Sequence, residues 1–139
     1  MSTLTSKEIL GDFFAMVKAS PLASAVNGGV YLNGTRPRGS KNEDITVGFV
    51  TGIANQMQTG VIAICVYVPD IDPYQNGVLV EDMGRTLVLE RMAQDWINSH
   101  PEASTEYFLR LQDTITTVED EPIHQHFVSI MLQYKLMNE

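Results

Sequence analysis

The strongest constraint on the fold is an uninterrupted apolar run from Val61 to Val68 that ends at Pro69. A strand in which every residue is apolar has to be covered on both of its faces. The run is far too short to cross a bilayer as a helix, which takes about 20 residues. We therefore predict a strand over Val61–Val68, covered by a helix or by a neighbouring subunit.

A second strand precedes this run. In Ile45–Ile53 the odd positions are mostly apolar, and the opposite face carries small residues such as Gly48 and Gly52. Glycines at that spacing weaken a strand and indicate that another backbone or a helix approaches closely. With residues 54–60 as the connection, the two strands form a predicted hairpin.

Two helices are predicted. Thr5 and Glu8 match a capping box, which opens a helix from about Ser6 to Ala19, and Pro21 ends it. A second helix runs from about Val80 to Ser99. One of its faces carries apolar residues at helical spacing: Leu89, Met92, Ala93, Trp96 and Ile97.

The remaining segments complete an α+β fold. A short strand, Val30–Leu32, leads into a polar segment over residues 33–44 that is predicted to be an exposed loop. The last third reads as a hairpin with arms Tyr107–Val118 and Ile123–Met137 around an acidic turn. At 139 residues, the chain is predicted to be one domain over 1–139. Its antiparallel or mixed sheet has about five strands packed by two helices, in the order α-β-ββ-α-ββ.

The charge is distributed unevenly along the chain. Of the net −8, residues 1–69 hold five Lys/Arg against four Asp/Glu, whereas residues 70–139 hold four against thirteen. An acidic surface repels phosphate backbones, so sequence-specific nucleic-acid binding is disfavoured. The basic cluster of Arg36, Arg38 and Lys41 lies in the predicted loop.

The single cysteine and the N-terminus bear on the compartment. Cys65 lies inside the apolar run, where a buried thiol behaves as a small hydrophobe, and it cannot form an internal disulfide. The first residues show no basic region followed by an apolar stretch. We expect a soluble protein made in a reducing cytoplasm, without membrane association.

Two groups of residues raise a metal- or ligand-binding alternative. Four oxygen-bearing residues match calcium-loop positions one, three, seven and twelve: Asp70, Asp72, Asn76 and Glu81. Gln75, however, occupies the sixth position, which requires glycine, so a proline-pinned turn is the favoured interpretation. His124 and His126 place two imidazoles on one strand face, but a zinc site needs three or four ligands. The alternative function is a small metal- or ligand-binding domain or enzyme that uses the Asp70–Glu81 loop or this histidine pair.

Catalytic motifs do not stand out in the sequence. It contains no glycine-flanked serine of the strand-to-helix kind, and its glycine-containing loop lacks the Lys-Ser/Thr ending of a phosphate-binding loop. We therefore predict no catalytic residue, no metal ligand and no cofactor, and we do not expect an enzyme.

The order of elements and several phrases match a known family. A first helix and Gly29-Val30-Tyr31 lead to a proline-bearing loop, and a strand then precedes the phrase that runs from Gln58-Thr59-Gly60 to Pro69-Asp70. A long helix and a terminal hairpin, ending in Phe127–Met137, complete the pattern. This pattern resembles the tail-terminator or tail-completion proteins of tailed bacteriophages and prophages, including the head–tail joining subunits that share their fold.

The resemblance implies a virion protein that is assembled in the bacterial cytoplasm. Such a subunit forms a ring with copies of itself, typically a hexamer, which terminates the tail tube and joins it to the head. Its partners would be the tail tube and head-completion proteins, and DNA would pass through without sequence-specific binding. The family brings no active-site residues.

A closed ring needs a head-to-tail interface between two different surfaces of the same subunit. Exposure and composition mark eight candidate residues for a subunit or partner interface: Arg36, Arg38, Lys41, Gly48, Gly52, Gln56, Gln58 and Tyr74.

Overall fold

The computed structural model describes residues 3–55, 57–102 and 107–137, and it confirms an α+β fold. Three helices and six strands follow one another in these described residues, with a short 3-10 turn at Glu121–Ile123. In chain order they are α1 Ser6–Lys18, α2 Pro21–Ala25, β1 Val30–Leu32, β2 Ile45–Ile53, β3 Met57–Pro69, α3 Met83–Asn98, β4 Tyr107–Leu111, β5 Thr116–Asp120 and β6 Gln125–Met137.

The six strands form one mixed sheet in the order β1-β2-β3-β6-β4, with β5 also paired to β6. β1 runs parallel to β2, and the other pairings are antiparallel. β4 lies beside residues 132–136 of β6 and β5 lies beside residues 125–129. The two short strands therefore act as one interrupted edge strand, and the sheet has five positions across.

The centre of the sheet is the long antiparallel ladder between β3 and β6. It runs without a shift from Met57 opposite Met137 to Pro69 opposite Gln125. Side chains alternate between the two faces of a strand, so this register gathers the fully buried side chains onto one face. From β3 and β6 these are Ile62, Ile64, Val66, Val128, Ile130, Leu132 and Leu136.

The helices cover that face. α1 contacts β1 and β2, while α3 contacts β3, β5 and β6. Their buried residues join the strand residues in one hydrophobic core, to which α1 contributes Phe13 and α3 contributes Leu89. The opposite face of the sheet, called the outer face here, carries the alternate residues. Cys65, predicted to be buried, is only half-buried there, and burial raises the pKa of its thiol.

Two predictions about the first half of the chain need correction. Pro21 ends α1, as predicted, but it also opens α2, because a proline fits the first turn of a helix, where no backbone donor is needed. β3 begins at Met57 instead of Val61, so the connection to β2 is shorter than predicted. The capping box of α1 is confirmed, with Thr5 and Glu8 each accepting from the other's backbone N–H.

The second half differs from the prediction at two element boundaries. α3 begins at Met83, three residues later than predicted, because the carboxylate of Asp82 accepts the backbone N–H of Arg85 and caps the helix. The first arm of the last hairpin is broken between β4 and β5. Among the described residues, no helix combines the length and the apolar character that a bilayer span demands.

A pair of opposed glycines accommodates the ring of Tyr134. Gly52 and Gly60 are cross-strand partners, and Gly60 also lies opposite Tyr134 in the register of β6. A Cβ at Gly52 would stand 2.7 Å from the Tyr134 hydroxyl, and one at Gly60 would stand 2.5 Å from it. Tyr134 is buried against Phe13, with ring centroids 5.8 Å apart. Side chains of the same chain thus explain the small residues at this end of the hairpin.

We expect Gly60→Ala to destabilise the protein by roughly 1–3 kcal/mol, because the added methyl group would collide with the carbonyl oxygen of Thr51 and with Tyr134. Gly11→Ala, in the exposed side of α1, meets nothing within 4 Å and should stabilise the protein by about 1 kcal/mol. Urea denaturation of both variants measures the difference. Equal effects of the two changes would contradict the assigned packing.

Candidate functional site

Arg36 ties the segment 33–44 to the outer face of the sheet. Its guanidinium carbon lies 4.2 Å from the ring centroid of Tyr67 on β3. Its Nε donates to Oδ2 of Asp44 at 2.9 Å, and its Nη2 donates to Oε1 of Gln125 on β6 at 2.9 Å. The segment therefore covers one half of the outer face, although most of its residues are exposed as predicted.

Asp44 is the acceptor at the centre of this network. It is 1% exposed, and it accepts from the Ser40 hydroxyl at 2.5 Å and from the Gly29 amide at 3.0 Å in addition to Arg36. Burial acts to raise the pKa of Asp44, but these hydrogen bonds and the charge of Arg36 outweigh it and leave the pKa below its ordinary value. Asp44 therefore stays ionised inside the protein.

The predicted basic cluster is divided by this arrangement. Arg38 and Lys41 are exposed on the loop, whereas the Arg36 side chain is largely buried against β3 and β6. The interface role of Arg36 stays a prediction, and the hydrogen bonds that the structure shows for it join parts of one chain. Arg38 and Lys41 stay available as contact residues at the surface.

The small and amide candidates also have partners within the chain. Gly48 faces Asn33, whose Cβ would lie 3.1 Å from a Cβ built on the glycine. The buried Gln58 accepts from the Leu4 amide at 2.9 Å and donates to the Leu4 carbonyl at 3.0 Å, so it anchors the N-terminal segment. Gln56 lies outside the described residues.

The other half of the outer face is an open groove of about 490 Å³. Phe108 on β4 is 70% exposed beside it, and Ile53 at the end of β2 is also exposed. Arg110 and Lys135 supply cations at its border. Its lining includes Thr51, Ile53, Thr59, Val61, Phe108, Arg110, Gln133 and Lys135.

A second apolar surface, the ridge, consists of six exposed apolar side chains from the segment after β3 and from the first turns of α3. Asp72 shapes it by accepting the backbone N–H groups of Asn76 and Gly77, and a bridge joins Ile71 to Val80. The proline-bearing turn is thus confirmed. Tyr74, a predicted interface candidate, is 83% exposed here. The ridge residues are Tyr74, Val78, Leu79, Val80, Met83 and Leu87.

The groove and the ridge lie on opposite sides of the subunit. The groove is on the outer face, while α3 packs on the other face through buried residues such as Leu89 and Ala93. Met83 and Leu87 are exposed on the side of α3 that points away from the sheet. The two surfaces also lie near opposite ends of β3, whose Thr59 lines the groove and whose Pro69 leads into the ridge segment.

The residues of the metal-binding alternative make contacts with one another. His126 Nδ1 lies 2.6 Å from Asp70 Oδ1, and His126 Nε2 lies 3.8 Å from Glu81 Oε1, which leaves the imidazole between two carboxylates. His124 is exposed at a left-handed position before β6. Across residues 3–55, 57–102 and 107–137, no group of three or more His, Cys, Asp or Glu is arranged to hold a metal ion.

Comparison with known proteins adds no relative to these observations. No protein-family model matches the chain, and no curated protein matches it significantly. The functional reading of this protein therefore depends on its own residues and on the surfaces that they form.

Sequence reasoning missed Phe108 in the groove and Leu87 in the ridge. Phe108 stands between Tyr107 and Leu109, so a strand there must present an apolar side chain on each face. Leu87 falls outside the apolar stripe that α3 turns to the sheet. The sequence signal for both residues is an apolar side chain on the face of the strand or helix opposite its buried face. Only the tertiary structure shows that these two side chains are exposed to solvent.

We expect Arg36→Ala to destabilise the folded chain by about 3 kcal/mol, because it leaves the buried carboxylate of Asp44 without its cation. Arg38→Ala, in the exposed part of the same loop, should change the free energy of unfolding by no more than about 0.5 kcal/mol. Chemical denaturation of both variants makes the comparison. A small effect at Arg36 would show that the network contributes little.

Asp44 should also make the free energy of unfolding depend on pH in the acid range. Its pKa is lower in the folded chain than in the unfolded one, so its contribution is fully present above the unfolded value of about 3.9 and is lost as the pH falls through the folded value. Asp44→Asn should remove that part of the acid dependence. Unfolding free energies of both proteins measured from neutral pH to below pH 4 test this, and parallel curves would refute it.

Proposed function

We propose that the chain is a structural subunit of a tailed-phage or prophage virion. It assembles head to tail into a ring, typically a hexamer, that terminates the tail tube and joins it to the head. The observation that carries the proposal is the presence of two different apolar surfaces, the groove and the ridge, on opposite sides of one subunit.

Cyclic assembly requires that kind of subunit. In a ring each copy uses one surface toward one neighbour and a different surface toward the next. Large apolar side chains grouped at the surface mark sites of protein–protein interaction. Phe108 in the groove and Met83 in the ridge are each 70% exposed, so each surface has an apolar group for a partner to cover.

The charge of the chain is compatible with a ring around DNA. The net charge is −8, and Arg36, Arg85 and Arg110 each donate to side chains of the same chain. Tight binding to a phosphate backbone needs clustered Lys and Arg. DNA would therefore slide through such a ring without being held, and the contacts of the subunit would be with its own copies and with tail-tube and head-completion proteins.

The proposal has no role for catalysis or for a cofactor. The carboxylates of the alternative site are engaged locally: Asp70 contacts His126, and Glu81 accepts the Thr86 hydroxyl at 2.6 Å. Arg85, two residues beyond the ridge residue Met83, makes a bidentate pair with Glu43. These contacts hold the ridge segment and α3 against the rest of the subunit.

We expect the purified chain to associate with increasing concentration and to reach the mass of about six copies. Light scattering coupled to size exclusion measures the mass, and negative-stain electron microscopy should show rings with a central opening. A chain that stays monomeric at the highest attainable concentration, alone and in the presence of tail tubes, would contradict the proposal.

Titration calorimetry with calcium and with zinc separates the alternative function from this one. Binding heat that disappears in Asp70→Asn or in His126→Gln would favour the metal-binding domain. The same titrations on a His100→Gln variant provide the control, because that imidazole is exposed after α3 and belongs to neither group of the alternative site.

A further inference from the structure

We propose that the ridge of one copy occupies the groove of the next copy, with Met83 and Leu87 covering Phe108 and Ile53. This inference depends on the ring proposed above and names the contact that builds it. The occupant of the groove is thus a second copy of this chain.

The dimensions of the two surfaces fit this contact. The groove is a depression of about 490 Å³ across the outer face, within the range of roughly 300–1,000 Å³ found for sites that enclose a bound group. Met83 and Leu87 lie one helical turn apart on α3, 70% and 67% exposed, so both project from the same side of the helix. Two neighbouring apolar side chains are a suitable insert for a depression of that size.

The charges of the two surfaces are opposite. Among the residues that the structure describes, those that line the groove include the cations Arg110 and Lys135 and no carboxylate. Residues 70–87 span the ridge and include four half-buried carboxylates, Asp70, Asp72, Glu81 and Asp82. The one cation in this range, Arg85, is paired with Glu43. Opposite potentials across an interface steer association and exclude wrong pairings.

The same charges disfavour the symmetric alternatives. A two-fold dimer joins a surface to its own copy. Groove against groove would bring together two pairs of cations, and it would leave a cavity between two depressions. Ridge against ridge would bring together two segments in which half-buried carboxylates outnumber the single cation, Arg85. Ridge into groove is the pairing in which apolar groups meet and the charges attract.

The positions of the two surfaces allow the same ridge-in-groove contact to repeat from one copy to the next. Because the groove and the ridge lie on opposite sides of the sheet–helix sandwich, one copy can fill its neighbour's groove while its own groove is filled by another copy. Each subunit then has two partners, as closure into a ring requires.

Mixing two variants, each defective in one surface, tests the contact. Phe108→Asp places a carboxylate in the groove, and the double variant Met83→Gln/Leu87→Gln replaces the ridge insert with polar helix formers. Because these side chains are mostly exposed, both variants should keep the thermal stability and circular dichroism of the parent chain. Val118→Asp, an exposed apolar position outside both surfaces, is the matched control.

We expect each defective variant to be monomeric under conditions in which the parent and Val118→Asp form rings. An equimolar mixture of the two variants should give a one-to-one dimer and nothing larger, since one intact groove and one intact ridge remain. Sedimentation velocity measures these species.

The contradicting outcomes separate the inference from the proposed function. Rings formed by either variant alone, or monomeric variants whose mixture yields no dimer, would overturn the ridge-in-groove contact while the parent's rings still support the virion role. A parent chain that is monomeric throughout would overturn both proposals together.

Discussion

The pairing of β3 with β6 is the interaction on which the rest of the structure depends. Thirteen consecutive residue pairs join the two strands, and a shift of one residue would turn every side chain of a strand to the other face. In the observed register the fully buried aliphatic residues of both strands meet under α1 and α3, which leaves the outer face with a mixture of polar and apolar groups. The positions of the helices, the folded loop and both apolar surfaces follow from that division.

The outer face is then shared between an internal contact and an open one. The network of Asp44, Arg36 and Gln125 holds the segment 33–44 over the Tyr67 end of the sheet. An ionised carboxylate as deeply buried as that of Asp44 has to be paired and hydrogen-bonded. The positions of its donors therefore determine how much of the outer face the segment 33–44 covers. The other end of the same face stays uncovered, and the groove lies there. The internal polar network thus occupies one half of the outer face, and the proposed subunit contact uses the other half.

The sequence predictions are accurate where the bounds of an element depend on residues close together in the chain, and inaccurate where they depend on residues far apart in it. β2 was predicted at its observed bounds, because alternating side chains are a local signal. The start of β3 was placed too late, because Gln58 and Gly60 resemble a connection until Leu4 and Tyr134 are positioned beside them. Among the candidate site residues, Tyr74 is prominently exposed, whereas Arg36, Gly52 and Gln58 interact within the chain. The groove residues Phe108 and Ile53 were not anticipated.

The sequence by itself determined the α+β class, the capping of α1, the buried stripe of α3 and the apolar face of the central hairpin, since each depends on residues a few positions apart. Tertiary structure decided which polar groups turn inward and which apolar groups stay outside. Arg36 and Gln125 are 89 residues apart in the chain, and Leu4 and Gln58 are 54 apart. No local pattern encodes such a meeting, because the desolvation of a charge or an amide is offset only by a partner that the whole fold brings to it.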